Sequence, residues 1–266
     1  METEKKDLPI GFMDSGLGGL SVLIEAVREM PSEDFLYYGD SANAPYGTRP
    51  QEEIRILTYA VVDKLLEKGI KGLVVACNTA TGAAVRSLRE DHPYLPIVGI
   101  EPAIKPAVEA NKGGRIIVMA TPMTIAQQKY KDLVERFRGD SDLVSVSCPG
   151  LMEFVEEGDL DDPELDAFFD AHLKKYLTDD TETIVLGCTH YPFIKPRLRK
   201  YLNNDRIRII DGSLGTAREL KRRLREKGLL KNREKEGRIV IENSSDSPEM
   251  KERALFLLEK NGIRIK

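Results

Sequence analysis

The 266-residue chain has only three cysteines and three histidines, and no apolar run approaches the roughly 20 residues of a membrane span. Its opening stretch, METEKKDLPIGFMDSG, holds no apolar segment of signal-peptide length, so a cytoplasmic protein with no membrane partner is expected. Cys77, Cys148 and Cys188 are odd in number and far apart, which argues against a disulfide scaffold and suits a reducing compartment. Acids and bases nearly cancel, 44 against 40, and a formal charge of −4 gives no footprint for nucleic acid as the main partner. There is no CxxC and no cluster of histidines, so Cys188 and His190 fall short of the ligand set of a zinc site, and no metal is expected. A content of 41% hydrophobic and 32% charged residues excludes disordered, collagen-like and membrane classes.

What the sequence does have is rhythm. Short apolar runs end in small or polar clusters and pass into helical patterns: PIGFM before DSGLGG, FLYYGD before SANAPYG, GLVVAC before NTATG. This alternation predicts parallel sheets covered by helices. Helices are expected over Leu20 to Arg28, Gln51 to Lys68 and Thr81 to Arg89, then near Ile125 to Phe137 and Pro163 to Tyr176, the last with Asp162 as cap. A long charged helix from Gly215 and the strand-like RIVIEN follow. The fold class read from this is α/β, with two similar parallel-sheet domains and a cleft between them. Residues 1–98 completed by 211–266 would form the first, and 99–210 the second.

A pseudo-repeat is the strongest internal clue. GLVVACNTAT at 72–81 and TIVLGCTHYP at 183–192 each run from an apolar strand into a cysteine and two polar residues. Ligands of open parallel sheets bind at the carboxyl ends of strands, so Cys77 and Cys188 are expected on opposite sides of one cleft. Each precedes an expected helix start, where a thiol's pKa falls below its free value of about 8.5. Cys148, before Pro149, reads as a small buried hydrophobe. The acidic run 153–182 and the basic run 218–238 read as solvated faces.

Between the first strand and helix, FMDSGLGGL offers backbone amides to an anion. It matches a dinucleotide fingerprint only in part, with Gly16 and Gly18 in place and Ser21 where the third glycine belongs. A dinucleotide or small-anion binding protein is therefore the alternative from another class, and Asp14 and Ser15 would then be helix caps. A cysteine hydrolase using His190 as base would leave Cys77 unexplained. Two facing thiols suit a different chemistry, in which one removes a proton from carbon and the other delivers one to the opposite face. Backbone amides and the hydroxyls of Ser15, Thr79, Thr121, Thr124 and Thr189 are the groups that would hold carboxylates for it.

DSGLGG at 14–19, YYGDSANAPYG at 37–47, ACNTAT at 76–81, TPMT at 121–124, CPGLMEFVEEG at 148–158 and GCTHYP at 187–192 together resemble the glutamate racemases of the aspartate/glutamate racemase superfamily. The resemblance runs from about Gly11 to Gly212 and implies a cofactor-independent racemase that interconverts L- and D-glutamate and supplies D-glutamate for peptidoglycan. It implies Cys77 and Cys188 as the catalytic pair, assisted by Asp14, His190 and an acid of VEEG, placed on Glu156 with Glu153 and Glu157 as neighbours that compete for the role. It also implies a substrate pocket of Asp14, Ser15, Pro45, Tyr46, Gly47, Asn78, Thr79, Thr121, Thr124, Thr189 and His190. A homodimer is expected, and aspartate is the competing substrate. One departure is Gln127, at a position where these proteins often carry a serine.

Overall fold

The computed structural model describes residues 2–157, 160–233 and 235–265, the side chains of residues 2–4 and 157 excepted. Nine strands are found among these: β1 Ile10–Asp14, β2 Phe35–Gly39, β3 Gly72–Val75, β4 Ile97–Gly99, β5 Arg115–Ala120, β6 Leu143–Ser147, β7 Thr181–Leu186, β8 Arg208–Asp211 and β9 Ile239–Asn243. They form two sheets, ordered β4-β3-β1-β2-β9 and β6-β5-β7-β8, and every pairing is parallel. The C-terminal strand β9 returns to the first sheet beside β2.

Period-two alternation divides the core. Ile10 and Phe12 of β1, Val74 of β3, Ile117 and Met119 of β5, and Ile184 and Leu186 of β7 belong to one apolar cluster shared by both sheets. Met13, Leu73 and Val75 face the opposite side of the first sheet, towards helices Gln51–Glu67 and Asn78–Asp91. Ile116, Val118 and Val185 do the same on the second sheet. Strands buried on both faces are apolar throughout, which is why they are legible as continuous runs. Each fully buried Leu, Ile or Phe in these layers contributes about 1.5–3 kcal/mol from burial.

The helices follow the sequence with three exceptions. The helix expected from Pro163 to Tyr176 is Glu164–His172 followed by a 3-10 segment Lys174–Tyr176. Its N-cap is Pro163 and not Asp162, although the Glu164 amide donates to Asp162 Oδ1 at 2.7 Å. The helix expected from Ile125 to Phe137 is instead two, Pro122–Ala126 and Gln128–Arg138, because Gln127 takes an extended backbone (φ −65°, ψ 140°). Its carbonyl accepts from the amides of Tyr130 and Lys131 and so caps the second helix. The third exception follows Cys188, where a turn leads into a 3-10 segment Tyr191–Ile194 before the helix Lys195–Leu202. Pro192 and Pro196, which lack an N–H, lie at the starts of those two pieces.

Candidate active site

The carboxyl ends of β1, β3, β5 and β7 meet, as the strand-end rule requires. Around a small, tightly closed pocket stand Ser15, Tyr46, Gly47, Cys77, Asn78, Thr79, Thr121, Thr124, Met152, Cys188, Thr189 and His190. Asp14 and Glu156 are behind this lining, and Pro45 lies just before Tyr46, outside it. Met152 is the lining residue that the sequence did not point to.

Cys77 is the N-cap of helix Asn78–Asp91, and its sulfur accepts from the Ala80 amide at 3.5 Å. The Ser15 hydroxyl also points at Sγ, at 3.5 Å. The helix start does not lower the thiol as expected. Burial, then the nearby charge of Asp14, pushes Cys77 up to about 11 against these two donors. Cys148, 2% exposed, is pushed up to about 12 by burial and sits in the shared core, a structural thiol.

The second thiol stands at the end of a short chain of polar contacts. Cys188 Sγ lies 3.6 Å from Nδ1 of His190, and Nε2 of that ring lies 2.6 Å from Glu156 Oε1. Burial works against charge on the imidazole, but the Cys188 and Glu156 partners outweigh it and raise His190 well above its usual range. Burial likewise works against charge on Glu156, and the His190 bond reverses it, so Glu156 lies below its ordinary value. Among the three candidate acids, Glu153 is exposed and the side chain of Glu157 lies outside the described residues.

The glycine loop explains itself through these groups. The Leu17 amide donates to Glu156 Oε1 at 2.9 Å and the Gly16 amide to Asp14 Oδ2 at 3.0 Å. A Cβ on Gly16 would lie 2.4 Å from Glu156 Oε1, one on Gly18 would lie 2.4 Å from His190 Nδ1, and one on Gly19 would lie 2.6 Å from Asp14 Cβ. None of the three has positive φ, so close approach and not a tight turn is what excludes a side chain. The anion that this loop cradles is the protein's own.

Asp14 is fully buried and is not a cap of helix Leu20–Glu29, whose N-cap is Gly19. Burial raises its pKa, with His190 and the amides of Gly19 and Gly16 opposing. Its other neighbours are the Thr189 hydroxyl, 3.5 Å from Oδ1, and the Tyr37 hydroxyl, 3.3 Å from Oδ2. On the opposite wall, the hydroxyls of Thr79, Thr121 and Thr124 lie 2.9–3.3 Å apart, and Gln127 Nε2 donates to the Thr79 carbonyl at 2.9 Å. Asn78 Oδ1 is buried with no partner, an acceptor left open at the site. Tyr46 donates to Asp40 Oδ2 at 2.6 Å, which anchors the Tyr46–Thr48 turn and its Gly47 against the Thr121 side chain. No group of three or more His, Cys, Asp or Glu side chains suited to a metal occurs among the described residues.

Two thiols at matching strand ends, each with ionisable groups nearby, line one pocket of a parallel-sheet α/β protein. The chain belongs to the Asp/Glu/Hydantoin racemase family, whose model matches residues 10–220. It is 51% identical over 258 residues, 97% of its own length and 100% of the relative's, to a glutamate racemase of Clostridium botulinum (strain Alaska E43 / Type E3). Among solved structures it is similar to the glutamate racemase of Thermus thermophilus in complex with beta-chloro-D-alanine, with 36% identity, TM-score 0.79 and coverage of 98% and 96% of the two chains. It is also similar to the glutamate racemase isoform RacE1 of Bacillus anthracis, with 31% identity, TM-score 0.86 and the same coverages.

Proposed function

We propose that this chain interconverts L- and D-glutamate by cofactor-free proton transfer at Cα, with Cys77 and Cys188 as the two acid–base groups. The observation that carries the reading is the pair of buried thiols on one cavity, one beside Asp14 and the other beside the His190–Glu156 relay. A thiolate on one side takes the Cα proton, forming S–H while the C–H electron pair remains on the substrate. The thiol on the other side gives its proton to the opposite face, and its S–H pair stays on sulfur. Atoms and charge balance, and the enzyme is left with thiol and thiolate exchanged.

A thiolate is a weak base for such a proton, so the cavity must stabilise the carbanion and hold the substrate fixed. The unpartnered Asn78 Oδ1 suits the substrate ammonium, and the hydroxyls of Ser15, Thr79, Thr121, Thr124 and Thr189 suit its carboxylates. The raised pKa of Cys77 keeps that thiol protonated at neutral pH, in the form that delivers a proton. Cys188, beside the cationic His190, then removes the first proton, and L-glutamate is the enantiomer we assign to it. To restore the starting state the Asp14 carboxyl group gives its proton to the Cys77 thiolate and is reprotonated from solvent. The Cys188 thiol loses its proton to solvent, and the thiolate that re-forms is held by the His190 imidazolium, which keeps its own protons.

The dinucleotide alternative is disfavoured because the loop amides of Gly16 and Leu17 are already taken by Asp14 and Glu156. We divide the chain into residues 1–98 with 211–266 and residues 99–210, with substrate held between them. A cytoplasmic homodimer that supplies D-glutamate to the peptidoglycan completes the reading. Its decisive test is Cα proton exchange in heavy water, followed by NMR and polarimetry on glutamate and on aspartate with no cofactor added. Racemisation of glutamate that is lost in Cys77→Ser and in Cys188→Ser supports it. The same behaviour with aspartate alone would change the substrate, and undiminished turnover in either variant would remove the two-thiol mechanism.

A further inference from the structure

Tyr37 lies in the middle of β2, fully buried, on the face that packs into the core shared by both sheets. A buried tyrosine needs a partner for its hydroxyl, and this one has two. The hydroxyl lies 2.8 Å from the Gly16 carbonyl oxygen and 3.3 Å from Asp14 Oδ2, so its single hydrogen is shared between them. The carbonyl can come so close to β2 because Gly39 has no side chain; a Cβ there would lie 2.4 Å from Gly16 O.

The two oxygens of Asp14 are thereby made unequal. Oδ2 has two donors aimed at it, the Gly16 amide at 3.0 Å and the Tyr37 hydroxyl. Oδ1 faces the Thr189 hydroxyl at 3.5 Å, and the Gly19 amide also bears on the carboxyl group. A carboxyl oxygen that already accepts two hydrogen bonds is the poorer site for a proton. We propose that Tyr37 is a positioning residue that pins Oδ2, so that Asp14 carries its proton on Oδ1, the oxygen on the side of Thr189 and the substrate cavity. This rests on the functional reading above, in which Asp14 restores the proton of Cys77. The tyrosine never touches substrate and acts only through Asp14.

Tyr37→Phe removes the hydroxyl and keeps the ring that packs the core. Without the pin the carboxyl group turns, and its proton is no longer aligned. Turnover number is expected to fall roughly 10- to 100-fold, the scale of an ångström-size misplacement, while KM stays within about threefold. Loss of a donor to the carboxylate raises the pKa of Asp14 further, so its 13C NMR titration moves to higher pH in the variant. In an Asp14→Asn background the same Tyr37→Phe change should cost less than about threefold, because the group it positions no longer carries the proton. An unchanged Asp14 titration, or an equal loss of turnover in both backgrounds, would overturn the inference while leaving the racemase reading intact. A parent protein that does not racemise glutamate would remove both, and the NMR titration tells these cases apart without any turnover.

Discussion

Gly18 gives the sharpest test of how the glycine loop and the proposed His190–Glu156 relay depend on one another. A Cβ at this position would lie 2.4, 2.6 and 2.8 Å from Nδ1, Cε1 and Cγ of His190, whereas ordinary contacts begin near 3.4 Å. The imidazole would have to retreat by about 1 Å. It is 2% exposed and tied at its far side to Glu156 at 2.6 Å, so the retreat breaks either that bond or the 3.6 Å contact with Cys188. Overpacking of this kind costs about 1–3 kcal/mol of stability. A 1 Å displacement of an acid–base group costs on the order of 100-fold in rate. Gly215→Ala is the control: it lies in the helix Ser213–Glu226 with nothing within 4 Å of the added methyl, and should stabilise by about 0.5–1 kcal/mol. Urea denaturation and turnover would be measured on both variants. If Gly18→Ala keeps stability within about 0.5 kcal/mol and turnover within about twofold, the close-approach explanation of the loop is wrong.

Three further outcomes are expected. Burial holds the Cys77 proton from an ordinary 9.0 up to about 11, so its contribution to stability is complete below pH 9 and is lost as pH rises from 9 to 11. At about 1.4 kcal/mol per pH unit the parent should lose about 2–3 kcal/mol more than Cys77→Ser across that window, and parallel curves from denaturant titrations would refute it. Glu156→Gln removes a carboxylate that holds the His190 proton, so the imidazole should titrate at lower pH by NMR; an unmoved titration would dismiss Glu156 as its partner. Lys71 and Glu33 form an ion pair with both side chains almost wholly buried, and Lys71→Met would leave the Glu33 carboxylate without that partner. The expected cost is about 3–5 kcal/mol by chemical denaturation, and a loss below about 1 kcal/mol would mean that solvent reaches the pair.

How far the site is legible in the sequence follows from which groups are local to one strand end. Cys77 and Cys188 end apolar runs that could only be buried parallel strands, and the carboxyl-end rule brings such positions together. Glu156 cannot be separated from Glu153 and Glu157 in this way. Residues three and four apart share a helix face, so all three acids of the helix Glu153–Glu157 read alike until that helix is docked on the loop at Leu17. Tyr37 is hidden for a related reason. FLYYG reads as a fully buried strand, and only the register Phe12↔Tyr37 with β1 shows which of its two tyrosines comes beside Asp14. The pKa of Cys77 departs from expectation because the sequence displays the helix start but not the depth of burial, and burial is the larger effect here.

The loop DSGLGG shows why a motif specifies a physical need before it specifies an occupant. Glycines beside a strand end and a helix start supply backbone amides and remove the Cβ atoms that would keep an anion away. A nucleotide loop uses both properties on phosphate. Here the amide of Leu17 reaches a carboxylate 139 residues further along the chain, and the space over Gly18 is taken by His190. Nothing local to the loop distinguishes the two uses, because the distinction comes from chain that the fold brings back to it. The distinction does have a consequence in solution. A loop already filled by Glu156 has no amide free at Leu17, so weakening of the bond in Glu156→Gln should loosen the loop itself, raising amide hydrogen exchange at Leu17 before any change in the sheets. Exchange at Leu17 that matched the parent would mean that the carboxylate is a bystander and that the loop is held by its glycines alone.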